Sequence, residues 1–188
     1  MEASTNVLIK ESLSVKAIQT GNILPAFQLP DATNNIKSLT SYKNKFLVIS
    51  FYRGGWCPYC NMELKALQEI LPELKTLDAD LIAISPETPD NSLTTSEKNN
   101  LSFSVLSDID NKYAKSLGLV FQMPEDLREL YHSFNLNVDE HNGNKDYELP
   151  MPATYVLNEK REIIHSFTSE DYRDRLEPST ILEVIRAY

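Results

Sequence analysis

Phe46-Leu47-Val48-Ile49-Ser50-Phe51-Tyr52-Arg53-Gly54-Gly55-Trp56-Cys57-Pro58-Tyr59-Cys60 is the stretch from which the rest of the chain reads. Phe46 to Tyr52 is a short, nearly continuous apolar run rich in β-branched and aromatic residues, the pattern of a buried strand. Gly54-Gly55 breaks that strand, and a helical pattern begins at Asn61. Both cysteines of the protein stand at this strand-to-helix junction, with two residues between them. The first amides of a helix lack intrahelical acceptors, and the peptide dipoles leave partial positive charge there. A thiolate at that end is favoured over the thiol, so its pKa falls from ~8.5 toward neutrality. Pro58 suits a first-turn position, because it has no N–H to leave unpaired. Arg53 adds a fixed positive charge if the glycine turn folds it back; the plainer reading is a surface or capping arginine. The spacing lets one sulfur reach the other, so an oxidised first cysteine can be resolved as a disulfide.

Blander readings of the pair are weaker. Zinc needs about four ligands, and His132, His141 and His165 have no ligand spacing to each other or to the cysteines. No metal and no cofactor is expected. A structural disulfide would close a trivial loop, and inert core cysteines seldom arrive as a pair at a helix start. A vestigial site of the right shape remains an alternative to a working one.

Length and composition suit one α/β domain with additions. At 188 residues and 41% hydrophobic content a full core can be buried. Glu2, Lys10 and Glu11 interrupt any leader-like apolar region, so the chain is expected in the cytoplasm. A net charge of −9 argues against nucleic acid or an anionic membrane as partner, since both are polyanions.

The pattern divides the chain into an N-terminal arm or helix over 1–20 and a domain over 21–188. Gly21 to Pro30 reads as an extended lead-in, Asp31 to Asn35 as a polar turn, and Ile36 to Leu39 as an edge strand. Leu64, Leu67, Ile70, Leu71, Leu74 and Leu77 give the helix after the cysteines one apolar face, with a kink expected at Pro72. Leu81 to Ser85 is a second strand, which makes Phe46 to Ser85 a βαβ unit with parallel strands. Helices are predicted over Ser92–Asn100, Lys112–Leu117, Gln122–Phe134 and Pro178–Ala187, with a strand over Phe103–Leu106. Asn135 to Leu149 reads as a mobile polar insertion, and Thr154–Leu157 with Ile163–Phe167 as an antiparallel hairpin.

This order of elements resembles the thioredoxin fold, and Trp56-Cys57-Pro58-Tyr59-Cys60 is similar to its redox site. On that resemblance Met151-Pro152 is expected to be a cis peptide lying against the dithiol, and Thr154 and Tyr59 line the site. A more specific resemblance is to the AhpC/TSA peroxiredoxin-like group, whose members carry F-Y-R-G-x-W-C-P-Y-C. It extends over Pro25-x-Phe27, Ile84-Ser85-Pro86-Glu87, Leu106-Ser107-Asp108, Leu149 to Tyr155, and Asp171-Tyr172-x-x-Arg175-x-Glu177-Pro178. The implied fold is α/β: a thioredoxin-like central mixed sheet flanked by helices, with an N-terminal extension and peroxiredoxin-type insertions. Asp171, Tyr172 and Arg175 are read as a buried structural network.

Two registers compete within the resemblance. The peroxiredoxin pattern P-x-x-x-T-x-x-C lays Arg53 on the proline, Cys57 on the threonine and Cys60 on the attacking cysteine. The thioredoxin register makes Cys57 the exposed nucleophile and Cys60 the buried resolver, and residue chemistry favours it. The implied activity is a thiol peroxidase acting on hydrogen peroxide or small organic hydroperoxides. A thioredoxin- or glutaredoxin-like protein would be its reductant, and a homodimer falls within the family's range. A thiol-disulfide oxidoreductase and a non-enzymatic redox sensor are the alternatives.

Overall fold

The computed structural model describes residues 9, 10 and 12–188. Residues 1–8 and 11, which belong to the predicted N-terminal arm, lie outside the described residues. The later part of the arm forms a single 3₁₀ turn, Leu13–Lys16. Its Ser14 amide donates to the Glu170 carboxylate at 2.8 Å, which ties it to the far end of the chain.

The centre is a five-stranded mixed sheet. Its strands are β3 (Phe46–Phe51), β4 (Ala79–Ser85), β5 (Ser104–Ser107), β8 (Ala153–Leu157) and β9 (Ile163–Thr168), in the order β5-β4-β3-β8-β9. β3, β4 and β5 run parallel; β8 is antiparallel to β3, and β9 to β8. Every residue of β3 is buried, as the apolar run requires of a strand covered on both faces. Alternation then sorts the strand between two cores. Leu47, Ile49 and Phe51 join one that includes Phe27, Ile82, Tyr113 and Tyr155. Phe46, Val48 and Tyr52 join the other, beneath Leu64, Leu67, Leu71 and Leu74 of helix α1 (Pro58–Thr76). Ile181, Leu182 and Ile185 of α6 (Pro178–Ala187) close that second core. Ser50 has the parity of the α1 side, so a hydroxyl faces the helix one turn beyond the cysteines.

The remaining elements are α2 (Pro89–Lys98), α3 (Lys112–Ser116), α4 (Glu125–Ser133), α5 (Val138–Asn142) and two small sheets. One pairs β1 (Gln28–Pro30) with β2 (Ile36–Ser38) around the Asp31 turn, whose carboxylate accepts the Thr33 and Asn35 amides. The other pairs β6 (Val120–Gln122) with β7 (Glu148–Pro150).

Several expectations change. Gln122 ends a strand, and α4 starts only at Glu125. The segment 135–149 is not a bare polar loop: Val138 and Leu149 anchor it in a core with Phe121, Met123, Leu127, Tyr131 and Met151. Pro72 lies inside α1 without ending it. No cis peptide bond occurs among the described residues, so Met151-Pro152 is trans. Met151-Pro152 links β7, which ends at Pro150, to β8, which begins at Ala153, and the trans isomer, intrinsically favoured, suffices for that link. No described helix is long and apolar enough to cross a membrane.

Candidate active site

β3 delivers Arg53 to its C-terminal edge, and the Gly54-Gly55 turn places Cys57 at the N-cap of α1 with Pro58 as its first residue. The turn requires glycine twice. A Cβ on Gly54, where φ is +156°, would lie 2.2 Å from the Trp56 indole nitrogen. On Gly55 it would lie 2.0 Å from the Thr95 hydroxyl oxygen. The Gly55 peptide is held at both ends: its amide donates to Glu87 at 3.0 Å, and its carbonyl accepts the Asn61 side chain at 2.7 Å. Glu87 also accepts the Thr95 hydroxyl at 3.3 Å. His141 Nδ1 approaches its other oxygen at 3.2 Å, without hydrogen-bond alignment. Asn61 in turn accepts the Asn99 amide at 2.7 Å, so α2 and the segment 135–149 together fix the position of the turn.

The two cysteines are free thiols, and both are buried. The expectation of an exposed Cys57 is corrected: it is 1% exposed and Cys60 0%. Aromatic residues and Arg53 close over the N-terminus that would otherwise open to solvent. Arg53 is likewise not on the surface. It is 4% exposed, its Nη2 donates to Cys57 Sγ at 3.7 Å, and its guanidinium lies over the rings of Trp56 and Tyr172 at 5.4 and 4.6 Å. Trp56 packs edge-on against Tyr131, and Tyr59 against Tyr172. Cations over aromatic faces are stabilised by the ring quadrupole, which keeps a buried guanidinium in place beside a sulfur.

The sulfurs are pushed in opposite directions. The Cys57 thiol is lowered to about 5, first by a hydrogen bond from Cys60 and then, against the cost of burial, by the Arg53 charge and the Cys60 backbone amide. The Cys60 thiol is raised well above its ordinary value by burial and by donating to Cys57. At neutral pH the pair is one thiolate and one thiol, with the proton on the deeper sulfur.

A third group stands behind Cys60. Arg175 Nη2 donates to Cys60 Sγ at 3.5 Å, and its Nε donates to Glu63 Oε2 at 2.5 Å. The other Glu63 oxygen accepts the Ser50 hydroxyl at 3.2 Å. Glu63 is buried, and burial raises its carboxyl to about 7 against the pull of Arg175 and Ser50. Arg175 Nη1 also ties the carbonyls of Tyr172 and Asp174 at 2.7 and 2.6 Å, folding residues 169–177 around itself. Asp171 does not reach the sulfurs; it pairs with Arg173 at 2.7 Å.

The remaining predicted residues fall around this centre. Thr154 is the register partner of Ser50 and buried beside it. The Pro152 carbonyl accepts the Ser169 amide at 3.3 Å, which anchors the base of the Arg175 loop. Met151 packs in the core below Trp56 and donates its amide to Leu119 at 2.8 Å. Glu63 and Glu87 escaped the sequence reading as site residues. For Glu63 a signal existed: an acidic residue within the apolar stripe of α1, one turn after Cys60.

A family model described as the AhpC/TSA family matches residues 20–166. Peroxiredoxin Bcp of Escherichia coli is 29% identical over 102 residues, which is 54% of this chain and 65% of that protein. The chloroplastic peroxiredoxin Q of Populus jackii is 31% identical over 129 residues, 66% of this chain and 59% of that protein. The matched stretches thus span less than two thirds of these relatives' own length. Among solved structures, peroxidoxin BcpB of Mycobacterium tuberculosis has a TM-score of 0.73 at 20% identity, covering 90% of this chain and 97% of that one. A peroxiredoxin Q mutant of Xylella fastidiosa has a TM-score of 0.68 at 16% identity, covering 90% and 94%. At such identities the likeness establishes the fold, a thioredoxin-like one with a central mixed sheet. With the family model matching residues 20–166 of the 188, the chain belongs to the AhpC/TSA family.

Proposed function

We propose that the protein is a thiol peroxidase that reduces hydrogen peroxide and small organic hydroperoxides through Cys57 and Cys60. The observation that carries this reading is geometric: two free thiols lie buried at the start of one helix, and Arg53 Nη2 donates to Cys57 Sγ at 3.7 Å. Cys57 thiolate attacks one oxygen of the peroxide. The O–O bond breaks, Cys57 becomes a sulfenic acid, and the departing oxygen takes a proton to leave as water or alcohol. Cys60 then attacks the Cys57 sulfur; the S–O bond breaks, a disulfide forms, and water is released. Two electrons from an external dithiol, a thioredoxin- or glutaredoxin-like protein, restore the pair by disulfide exchange.

Burial favours peroxide over a protein disulfide as oxidant. Cys57 is 1% exposed, and hydrogen peroxide needs far less room at its sulfur than a protein disulfide does. A folded protein disulfide needs the residues around Tyr59 and Tyr172 moved aside. The test mixes reduced protein with hydrogen peroxide and with insulin in separate reactions. Peroxide consumption well above that of a free thiol is expected; a rate no faster than a free thiol overturns the reading, and insulin reduction alone moves the protein to the oxidoreductase class.

One observation favours the other register. Arg175 sits 3.5 Å from Cys60, a placement that would also suit Cys60 as the attacking sulfur. Trapping of sulfenic acid in Cys57→Ser and Cys60→Ser separates the two. Capture on Cys57 in Cys60→Ser supports the order given above, and capture on Cys60 in Cys57→Ser reverses it.

A further inference from the structure

Each sulfur has its own arginine, and the two arginines differ in their other partners. Among the described residues no carboxylate forms an ion pair with Arg53, whereas Arg175 shares its guanidinium between Cys60 and the buried Glu63. Cys60 and Glu63 are three residues apart on the buried side of α1, so their side chains are neighbours on one face. We propose that Glu63 is a positioning residue for Cys60: through Arg175 it sets how much positive charge that sulfur feels, and thereby how readily Cys60 gives up its proton when the disulfide closes.

The geometry carries this reading. Glu63 is buried, clamped from β3 by the Ser50 hydroxyl and from the 169–177 loop by Arg175. An ionised carboxylate at that place neutralises most of the Arg175 charge. A protonated one frees it to act on the sulfur at 3.5 Å. Opposite charge at such distances favours the ionised form of a thiol. Burial brings the Glu63 carboxyl to about 7, where such a change is accessible. Both side chains also line a cleft of about 250 Å³ bounded by Tyr59, Met62 and Leu176, which gives the carboxyl a route for its proton to solvent. The other charged or titratable groups bearing on this centre are Cys57 at the same helix start, Arg53 from the turn and Tyr52 from the end of β3. Arg173 and Glu177 line the cleft. None of them links Cys60 to a buried carboxylate.

In the closing step the Cys60 thiol loses its proton and its sulfur attacks Cys57–S–OH. The S–O bond breaks, and the departing hydroxide takes up a proton to leave as water. The inference rests on the proposed two-cysteine chemistry only for this consequence; the charge on Cys60 is testable without it. In a Cys57→Ser background Cys60 is the sole cysteine, so ultraviolet thiolate absorbance against pH reports it alone. Adding Glu63→Gln is expected to lower the Cys60 midpoint by about one pH unit or more, and adding Arg175→Met to raise it by a similar amount. Arg175→Lys, the conservative variant, should restore part of the shift and guards against a loop that fails to fold. With both cysteines present, Glu63→Gln should shorten the sulfenic-acid lifetime about tenfold at pH 8 and flatten its dependence between pH 6 and 8. Equal midpoints in the Cys57→Ser series, or a raised midpoint in Glu63→Gln, overturn the inference. Absence of any sulfenic acid in the two-cysteine protein overturns the peroxidase reading instead.

Discussion

Cys57 and Cys60 sit within one turn of the same helix, each with a guanidinium near its sulfur, yet one is pushed to about 5 and the other well above its ordinary value. Proximity of a cation therefore does not decide the charge of a thiol here. Arg53 is surrounded by Trp56 and Tyr172 rings, which hold it without cancelling it. Arg175 faces Glu63, which does cancel it. The second difference is direction: Cys57 receives the Cys60 proton in a hydrogen bond, and Cys60 gives it. Burial penalises two adjacent thiolates, so stabilising one fixes the other as thiol.

Removing a sulfur breaks the comparison outright and should have the largest effect. Cys57→Ser is expected to reduce catalytic peroxide turnover to background. Cys60→Ser should still consume about one equivalent of peroxide per chain and then stop at the sulfenic acid, as measured by consumption at limiting protein and by mass. Next in size is Arg53→Met, which keeps the apolar stem between the two rings. The Cys57 alkylation midpoint should rise from about 5 by about 1–3 pH units. Arg175→Met should move that midpoint far less, because its charge acts on the other sulfur. In the wild type, Cys57 reactivity should hold from pH 8 downward and fall by half near pH 5, as protonation removes the thiolate.

The stability of the fold should register the same contrast with opposite signs. Glu63 titrates near 7 when folded and at about 4.3 when unfolded. Between those values the folded chain holds more protons than the unfolded one, so this group makes stability fall as pH rises from about 4.5 to 7. Cys57 is depressed in the folded state, so its contribution is present at high pH and lost as pH falls through about 5. Urea midpoints at pH 5 and 8 should show Glu63→Gln gaining relative to wild type at the higher pH, on the order of 1–3 kcal/mol. An equal offset at both pH values would mean that the carboxyl stays ionised throughout.

The sheet was legible because its signals are local. β3 is an unbroken apolar run, the β8–β9 hairpin has its own turn residues, and α1 carries its stripe at helical spacing. The β6–β7 pair was not, since each strand has three residues and the pairing joins Val120 to Pro150 across two helices. At the site, residue types and spacing pointed to Cys57 and Cys60, whereas their burial depends on Tyr172 and Arg53 folding over the helix start. Arg175 stood out in the sequence without a role, because the sulfur it touches is 115 residues away. Glu63 left one clue, its place in the apolar stripe of α1, but its residue type argued the other way. A charged residue on a helix is normally a solvated one, and only the parity of Ser50 and the return of the 169–177 loop turn it inward.

The smallest change worth making tests whether the Cys57 side owes its properties to Arg53 alone or to the turn that presents it. Glu87 is 1% exposed, and it holds the Gly55 amide and the Thr95 hydroxyl through one oxygen. Glu87→Gln keeps an acceptor for Gly55 and deletes the charge. A hydrogen bond to a charged acceptor contributes about 1.5–3 kcal/mol, against about 1 for a neutral one. A loss of about 1 kcal/mol in urea unfolding is therefore expected. Because the Gly55 carbonyl remains tied to Asn61, the turn should stay in place, and the Cys57 midpoint should move by less than half a unit, on the order of a few tenths. Cys60, whose environment is built by β3 and the 169–177 loop, should not respond. A Cys57 shift as large as that of Arg53→Met would place the control of the thiolate in the geometry of the turn rather than in the guanidinium. The contrast between the two arginines would then be a consequence of where the backbone holds each sulfur.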